Sequence, residues 1–292
     1  MQSFLPILAI LLGIIVSQAH IYAFLIKYLL FLIKYLLMLM LFFPFLKISI
    51  KTFYPHALWI VVANIVIALA VYLVILPFNS ELAFFCFITA ITPTATAAPA
   101  VMDFLKGNVE YVALSVLLTN SIIGLTIPLL LSWITTPETS ISTSEVFRSI
   151  WFVFGIPLLM AQLVKEVNPS LQEFLLKRKN LSFYIWNVLL FLATARATHF
   201  IIYESNTTPQ MIALIAASSL MLCVVNFWVG KWIGGKQFAR EASQSLGQKN
   251  TMFTVWLAFS FLNPIVALGP MFYLLYHNLY NSYQLIKVGV AE

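Results

Sequence analysis

The sequence predicts an all-α polytopic membrane protein, and three observations carry that expectation. Apolar residues make up 62% of the 292 and charged residues 9%, whereas a soluble domain of this length carries about a quarter charged residues. The apolar residues gather into ten runs, most of them near the roughly 20 residues that a helix needs to span a bilayer. Two of these runs are interrupted by polar or proline-containing stretches, at 93–99 and 245–251.

In order, the runs cover 4–18, 25–46, 56–77, 82–102, 110–134, 147–165, 181–203, 210–230, 241–262 and 264–286. The first is short and ends in Ser17-Gln18-Ala19, which loosely resembles a signal-peptidase site. No Lys or Arg precedes it, as a signal peptide requires, so it is expected to be kept as a span. The fourth and ninth runs are the interrupted ones. The appreciable hydrophilic linkers are 135–147 and 165–180. Cys86 and Cys223 fall inside apolar runs, so neither a disulfide framework nor a metal or cofactor site is expected.

Charge sets the orientation. Lys and Arg accumulate in cytoplasmic loops. With an inside N-terminus, the inner loops hold Lys47, Lys51, Lys106, Lys165, Lys177, Arg178, Lys179, Lys231, Lys236 and Arg240, and the tail holds Lys287. The outer loops hold Arg148 with Glu81, Glu138, Glu145 and Glu204. Both termini are therefore expected in the cytoplasm. The basic excess reads as topology, since no Lys/Arg face with interleaved aromatics suggests a nucleic-acid partner. Five spans per half, 1–135 and 136–292, force the halves into opposite polarity. That arrangement is an inverted repeat, in which paired interrupted spans mark the binding site of a transporter.

At the first interruption, Pro93 and Pro99 lack amide hydrogens, so a helix cannot run straight through. Between them Thr94 and Thr96 can bond ligand or freed backbone, and a half-helix restarting there points its amides at an anion. At the second, Ser245, Gly247, Lys249 and Asn250 form a polar break. A charge near the bilayer centre costs roughly 3 kcal/mol, so Lys249 must face a cavity or a partner unless it lies near a span end and snorkels. Secondary candidates are Lys34, which shares a helix face with Lys27; Arg196 and His199, for which a structural role is expected; and His277 with Asn278, which can pack against the breaks.

Three stretches carry a family resemblance. Pro93-Thr94-Ala95-Thr96-Ala97-Ala98-Pro99, continuing through Val101-Met102, Leu105-Lys106-Gly107-Asn108 and Ala113-Leu114-Ser115-Val116, resembles the fourth-to-fifth-helix signature of the bile acid:sodium symporter family. Ser245 to Thr251 resembles its ninth-helix pattern. Pro264 through Ala267-Leu268 to His277-Asn278-Leu279 and Asn281-Ser282 resembles its tenth. The resemblance implies ten helices, with a panel domain from spans 1, 2, 6 and 7 and a core domain from spans 3–5 and 8–10. Helices 4 and 9 would cross at the site. The implied activity is secondary transport of organic anions by alternating access.

The departures from that pattern are mutually consistent. Of the residues matching the family's sodium ligands, Ser115 and Thr119 keep the helix-5 pair. The helix-4 Ser-Asn pair is Ala98-Pro99, the helix-9 Glu is Ser245, and the Gln is Lys249. Two sodium ions with one carboxylate give a site charge of about +1, and so does one lysine with neither. Lys249 is therefore expected to stand in for the bound cations, donating to Thr96, Ser115 or Thr119. Burial works against a charged ammonium, which makes a proton a candidate coupling ion; uncoupled facilitated diffusion fits equally. The substrate expected is a small organic anion, a carboxylate or sulfonate on a partly apolar body. It would contact Thr94, Thr96, Ser245, Lys249 and Asn250. The alternatives are a channel or non-transporting receptor on the same fold, or a membrane-embedded enzyme. An enzyme would need clustered acids or histidines at membrane depth, and the acids here lie in loops. A plausible monomer in a bacterial cytoplasmic membrane completes the expectation.

Overall fold

A chain this apolar must satisfy its backbone locally, and helices do so. The computed structural model describes residues 5–18, 20–48, 52–134, 142–178 and 180–288, without the side chains of 20–27, 29, 30 and 180. Lys51, Lys179 and Glu138, the Lys27 side chain and Ala19 lie outside the described residues. Contacts divide the chain into two compact units, one of 1–47, 148–208 and 255–267, the other of 48–147, 209–254 and 268–292. Among the described residues, five helices are long and apolar enough to cross a membrane: His56–Ile75, Val109–Ile134, Thr143–Val167, Leu181–Glu204 and Pro209–Gly234. Shorter apolar helices are Leu5–Val16, Ser80–Ile91 and Thr251–Phe261.

The first unit contains α1 (Leu5–Val16), α2 (His20–Lys47), α8 (Ile156–Val167), α9 (Pro169–Leu176) and α10 (Asn180–His199). A π-turn at Trp151–Gly155 precedes α8, and another at Phe200–Glu204 follows α10. The short α7 (Thr143–Ile150) leads into the first of these. On α2, Leu37, Leu41 and Phe45 recur every four residues and are fully buried, so one stripe faces the unit's interior. Pro44 lies inside α2 and cannot donate to the Met40 carbonyl four residues earlier. Ser182 Oγ of α10 donates there instead, at 3.2 Å. Gln172 of α9 donates to the Leu46 carbonyl at 2.9 Å. Helix α9 is a correction to the sequence analysis, which left 165–180 as a linker. Asn168 starts it by accepting the Leu171 amide at 2.9 Å, with Pro169 at the first helical position.

The second unit contains α3 (His56–Ile75), α4 (Ser80–Ile91), α5 (Ala98–Phe104), α6 (Val109–Ile134), α11 (Pro209–Gly234), α12 (Ala239–Gly247) and α14 (Leu268–Lys287). Helix α13 (Thr251–Phe261) begins in it. Ala57, Ile60, Ala98, Met102, Tyr111 and Leu246 form a buried apolar core. Around it Trp59, Val66, Val74, Trp228 and Trp232 are exposed. An apolar interior inside an apolar exterior is the pattern of helices that meet lipid rather than water. At Gly230 an added Cβ would run into the α12 backbone at Ala242 and Ser243. That glycine allows α11 and α12 to pack this closely.

Candidate functional site: the crossing of two broken helices

Helix α4 stops because of Pro93. The residue before a proline is pushed out of the helical region, and Thr92 sits at φ −48°, ψ 127°. The end of an α-helix leaves carbonyls without partners, and here side chains supply them. Thr92 Oγ1 donates to the Ile88 carbonyl at 3.1 Å. Lys249 Nζ donates to the Ala90 carbonyl at 3.1 Å. Asn64 of α3 donates to the Ile91 and Thr92 carbonyls at 3.3 and 3.1 Å.

Helix α12 stops at Gly247. Its terminal carbonyls are met in the same way, from other elements of the unit. Thr94 Oγ1 donates to the Ser245 carbonyl at 2.5 Å, and the Tyr273 hydroxyl of α14 donates to the Gly247 carbonyl at 2.8 Å. The Ala95 amide donates to the Gln248 carbonyl at 2.8 Å, and the Asn250 amide to the Pro93 carbonyl at the same distance. These two bonds flank an antiparallel bridge between Thr94 and Lys249. Each interruption thus supplies the other with missing backbone partners, as a buried break requires.

Lys249 is 2% exposed. It does not lie at a span end reaching water, and it does not donate to Thr96, Ser115 or Thr119, as the sequence suggested. Its ammonium bonds Asn64 Oδ1 and the Ala90 carbonyl, both neutral acceptors. The reason is local. The bridge fixes Lys249 beside the end of α4, whose terminal carbonyls carry the negative end of the helix dipole. A cation there is favoured by about 0.3–2 kcal/mol. The oxygens that could hold a free cation at this point already accept from the ammonium, and among the described residues no carboxylate joins them. A sodium ion does not fit this donor set.

The other predicted residues separate clearly. Thr94 is consumed by structure: its amide donates to Thr119 Oγ1 at 3.2 Å, its carbonyl accepts from Asn120 Nδ2 at 2.8 Å, and its hydroxyl holds α12. Asn250 likewise reaches Asn120 Oδ1 at 3.4 Å. Ser115 and Thr119 turn back onto the carbonyls of Tyr111 and Ser115 in their own helix. Ala98 and Pro99 open α5, so Pro99 sits in a first turn that tolerates it rather than in the break. Ser245 and Gly247 are helical, and the second break narrows to 248–250. The Ser245 hydroxyl is buried with no partner among the described residues. Thr96 is buried, and among the described residues neither its amide nor its hydroxyl is hydrogen-bonded.

The secondary candidates behave differently. Lys34 is half-buried in the first unit, with its ammonium 5.6 Å from the centre of the Phe152 ring. Arg196 pairs with both oxygens of Glu204, at 2.7 and 3.2 Å, and His199 meets Glu204 at 3.0 Å. His277 is buried against Tyr273, their rings 5.7 Å apart, and Asn278 is half-buried. The α14 residue that bonds the break is Tyr273, one turn before His277. Sequence reasoning missed Asn64, Asn120 and Tyr273. A lone amide inside a 20-residue apolar span, as at Asn64, is a polar residue at membrane depth and was the available signal. No protein-family model matches the chain, and no curated protein sequence matches it.

Proposed function

We propose that the protein is a secondary transporter of a small organic anion, working by alternating access without sodium. One observation carries this reading: a buried lysine at the crossing of two broken helices, bonded to uncompensated neutral oxygens. An unpaired buried charge is costly, and a structural lysine would gain a carboxylate. A charge kept unpaired is free to attract an anion. The division of the chain supports the same reading. One unit gathers 1–47 and 148–208, the spans of a panel domain, and the other gathers the remaining spans except 255–267. Asn64 bonds the end of α4, while Asn226 of α11 bonds the Tyr273 hydroxyl that bonds the end of α12. That correspondence suits two inverted five-helix repeats within ten spans, in a divergent member of the bile acid:sodium symporter family.

In this reading the anion meets Thr96, whose amide and hydroxyl are open, within the field of Lys249. Thr94 and Asn250 hold the crossing together and do not touch substrate. Both termini face the cytoplasm and the chain sits in the cytoplasmic membrane. The chemistry is binding and relocation, with no bond made or broken in the substrate. A thermal-shift screen of carboxylates and sulfonates against the purified protein, followed by counterflow of the best binder in proteoliposomes, tests it. Saturable, Lys249-dependent counterflow is the expected result. If no organic anion stabilises the wild type more than Lys249→Gln, the reading is wrong.

A further inference from the structure

The second unit holds buried polar groups that the crossing leaves unused. Gln244 lies in the last turn of α12, and Gln248, four residues on, follows the helix end in extended backbone. On α14, Tyr273, His277 and Asn281 recur at the same interval. The two helices are joined. Gln244 Nε2 donates to Asn281 Oδ1 at 3.1 Å and to Gln284 Oε1, and Tyr273 reaches the Gly247 carbonyl. These residues are buried except Gln284, which is half-buried near the end of α14. The seam runs from that partly exposed amide to the break that carries Lys249. At its inner end Cys223 of α11 lies against the Tyr273 hydroxyl and within electrostatic reach of Lys249.

Five atoms along the seam have no hydrogen-bond partner among the described residues: Gln244 Oε1, Ser245 Oγ, Gln248 Oε1, His277 Nδ1 and Asn281 Nδ2. Buried polar atoms in native proteins are paired in roughly 90% of cases or more, with protein or with water. Each one left bare costs about 1–3 kcal/mol, and five together approach the whole stability of a domain. Their chemistry names the partner. The set mixes acceptors with the Asn281 donor and carries no formal charge. An anion needs a surplus of donors, and a metal cation is repelled by the amide. Water takes both roles, with about three hydrogen bonds for each buried molecule.

We propose that a chain of bound water between α12 and α14 is the route by which a proton reaches and leaves Lys249. The inference rests on Lys249 being the transporter's working charge, and it names the proton as the coupling ion. On unloading, one N–H bond of the ammonium breaks and its electron pair stays on Nζ. The proton passes to water and is relayed to the Gln284 end; loading reverses each step. The titratable group within electrostatic reach of Lys249 is Cys223 of α11, which in turn lies against Tyr273 of α14, and the neighbours of Lys249 on α3 and α4 are the uncharged Asn64 and Ala90. His277 stands midway. Glu241, at the start of α12, is held by the Asn108 amide at 2.9 Å.

Two measurements on the full-length purified protein test this. Radiolytic footprinting in ¹⁸O-labelled water should oxidise Tyr273 and His277, which adjoin the seam, and spare Phe87, fully buried on α4 beside the Tyr72 ring. An upward pH jump, followed by a soluble dye, should release one proton fewer from Lys249→Gln than from the wild type. Gln244→Leu/Asn281→Leu replaces both partners of one bond, which is nearly neutral for folding. It should release the same number of protons at least tenfold more slowly, and Gln244→Leu alone should slow release in the same direction. Unlabelled Tyr273 and His277, or wild-type release rates in both Leu variants, overturn the proposal. Anion-dependent stabilisation that persists in those circumstances leaves the transporter reading standing; its loss in wild type removes that reading by itself.

Discussion

At the scale of single residues, Lys249 is defined by its acceptors. Asn64 is the pivot, because its amide donates to the α4 terminus while its oxygen accepts from the ammonium. Asn64→Leu removes a hydrogen bond to a charged group, worth about 1.5–3 kcal/mol, and should lower the melting temperature clearly. Asn64→Asp supplies a carboxylate instead. The resulting ion pair should cancel the site charge, so anion affinity falls at least tenfold, about 1.4 kcal/mol, while the Ile91 and Thr92 carbonyls lose their amide donor. Equal anion affinity in Asn64→Asp and wild type would show that the charge does not attract substrate. Lys249 was legible in the sequence because a lone charge in an apolar span demands a reason. Its partner was not. Nothing along the chain ties position 249 to position 64, and only the Thr94–Lys249 bridge aims the side chain at α3. Thr94 was likewise legible as polar, but which of its groups remain open depends on Thr119, Asn120 and Ser245, which only folding brings to it.

At the scale of elements, both interruptions were readable from residues that cannot continue a helix, and their extents were not. Pro93 ends α4 through the restriction it places on Thr92. Pro99, identical in chemistry, starts α5, because a proline's effect depends on whether the turn before it needs its amide. Ser245 looked like part of the second break because it is polar, yet it stays in α12 with its carbonyl taken by the Thr94 hydroxyl of the other interruption. The closeness of α11 and α12 was also silent in sequence, since one glycine among ten does not announce what it faces. Gly230→Ala puts a methyl into the Ala242–Ser243 backbone, which cannot swing aside. Overpacking of this kind costs about 1–3 kcal/mol. Gly235, in the left-handed region at φ 56° with nothing around its missing Cβ, should accept Asn at under about 1 kcal/mol, since Asn tolerates that conformation. Thermal melts of the two variants in the same detergent should rank them in that order, and the reverse ranking would mean that α11 and α12 are not held this closely.

At the scale of the whole molecule, the apolar composition and the run pattern led directly to long apolar helices, because nearly every residue contributes to that signal. The chain's division into a unit of 1–47 with 148–208 and a unit holding both interruptions rests on which helices touch, and composition is blind to that. On the proposed reading, the ion dependence of the entire protein nevertheless follows from one position. With Lys249 bonded to Asn64 Oδ1 and the Ala90 carbonyl at the α4 terminus, that reading leaves sodium no place there. Linkage then gives no stabilisation from sodium beyond what potassium provides at equal ionic strength. A saturable, sodium-specific rise in melting temperature worth more than about 1 kcal/mol would falsify this. The converse is the stricter test. Lys249→Gln frees Asn64 Oδ1 and the Ala90 carbonyl, and adding Ser245→Glu with Ala98→Ser and Pro99→Asn returns the carboxylate and amide oxygens that sodium seeks. That fourfold variant should acquire a sodium-dependent melting temperature while Lys249→Gln alone does not. If the fourfold variant folds and remains indifferent to sodium, the ammonium is not standing where a cation could bind.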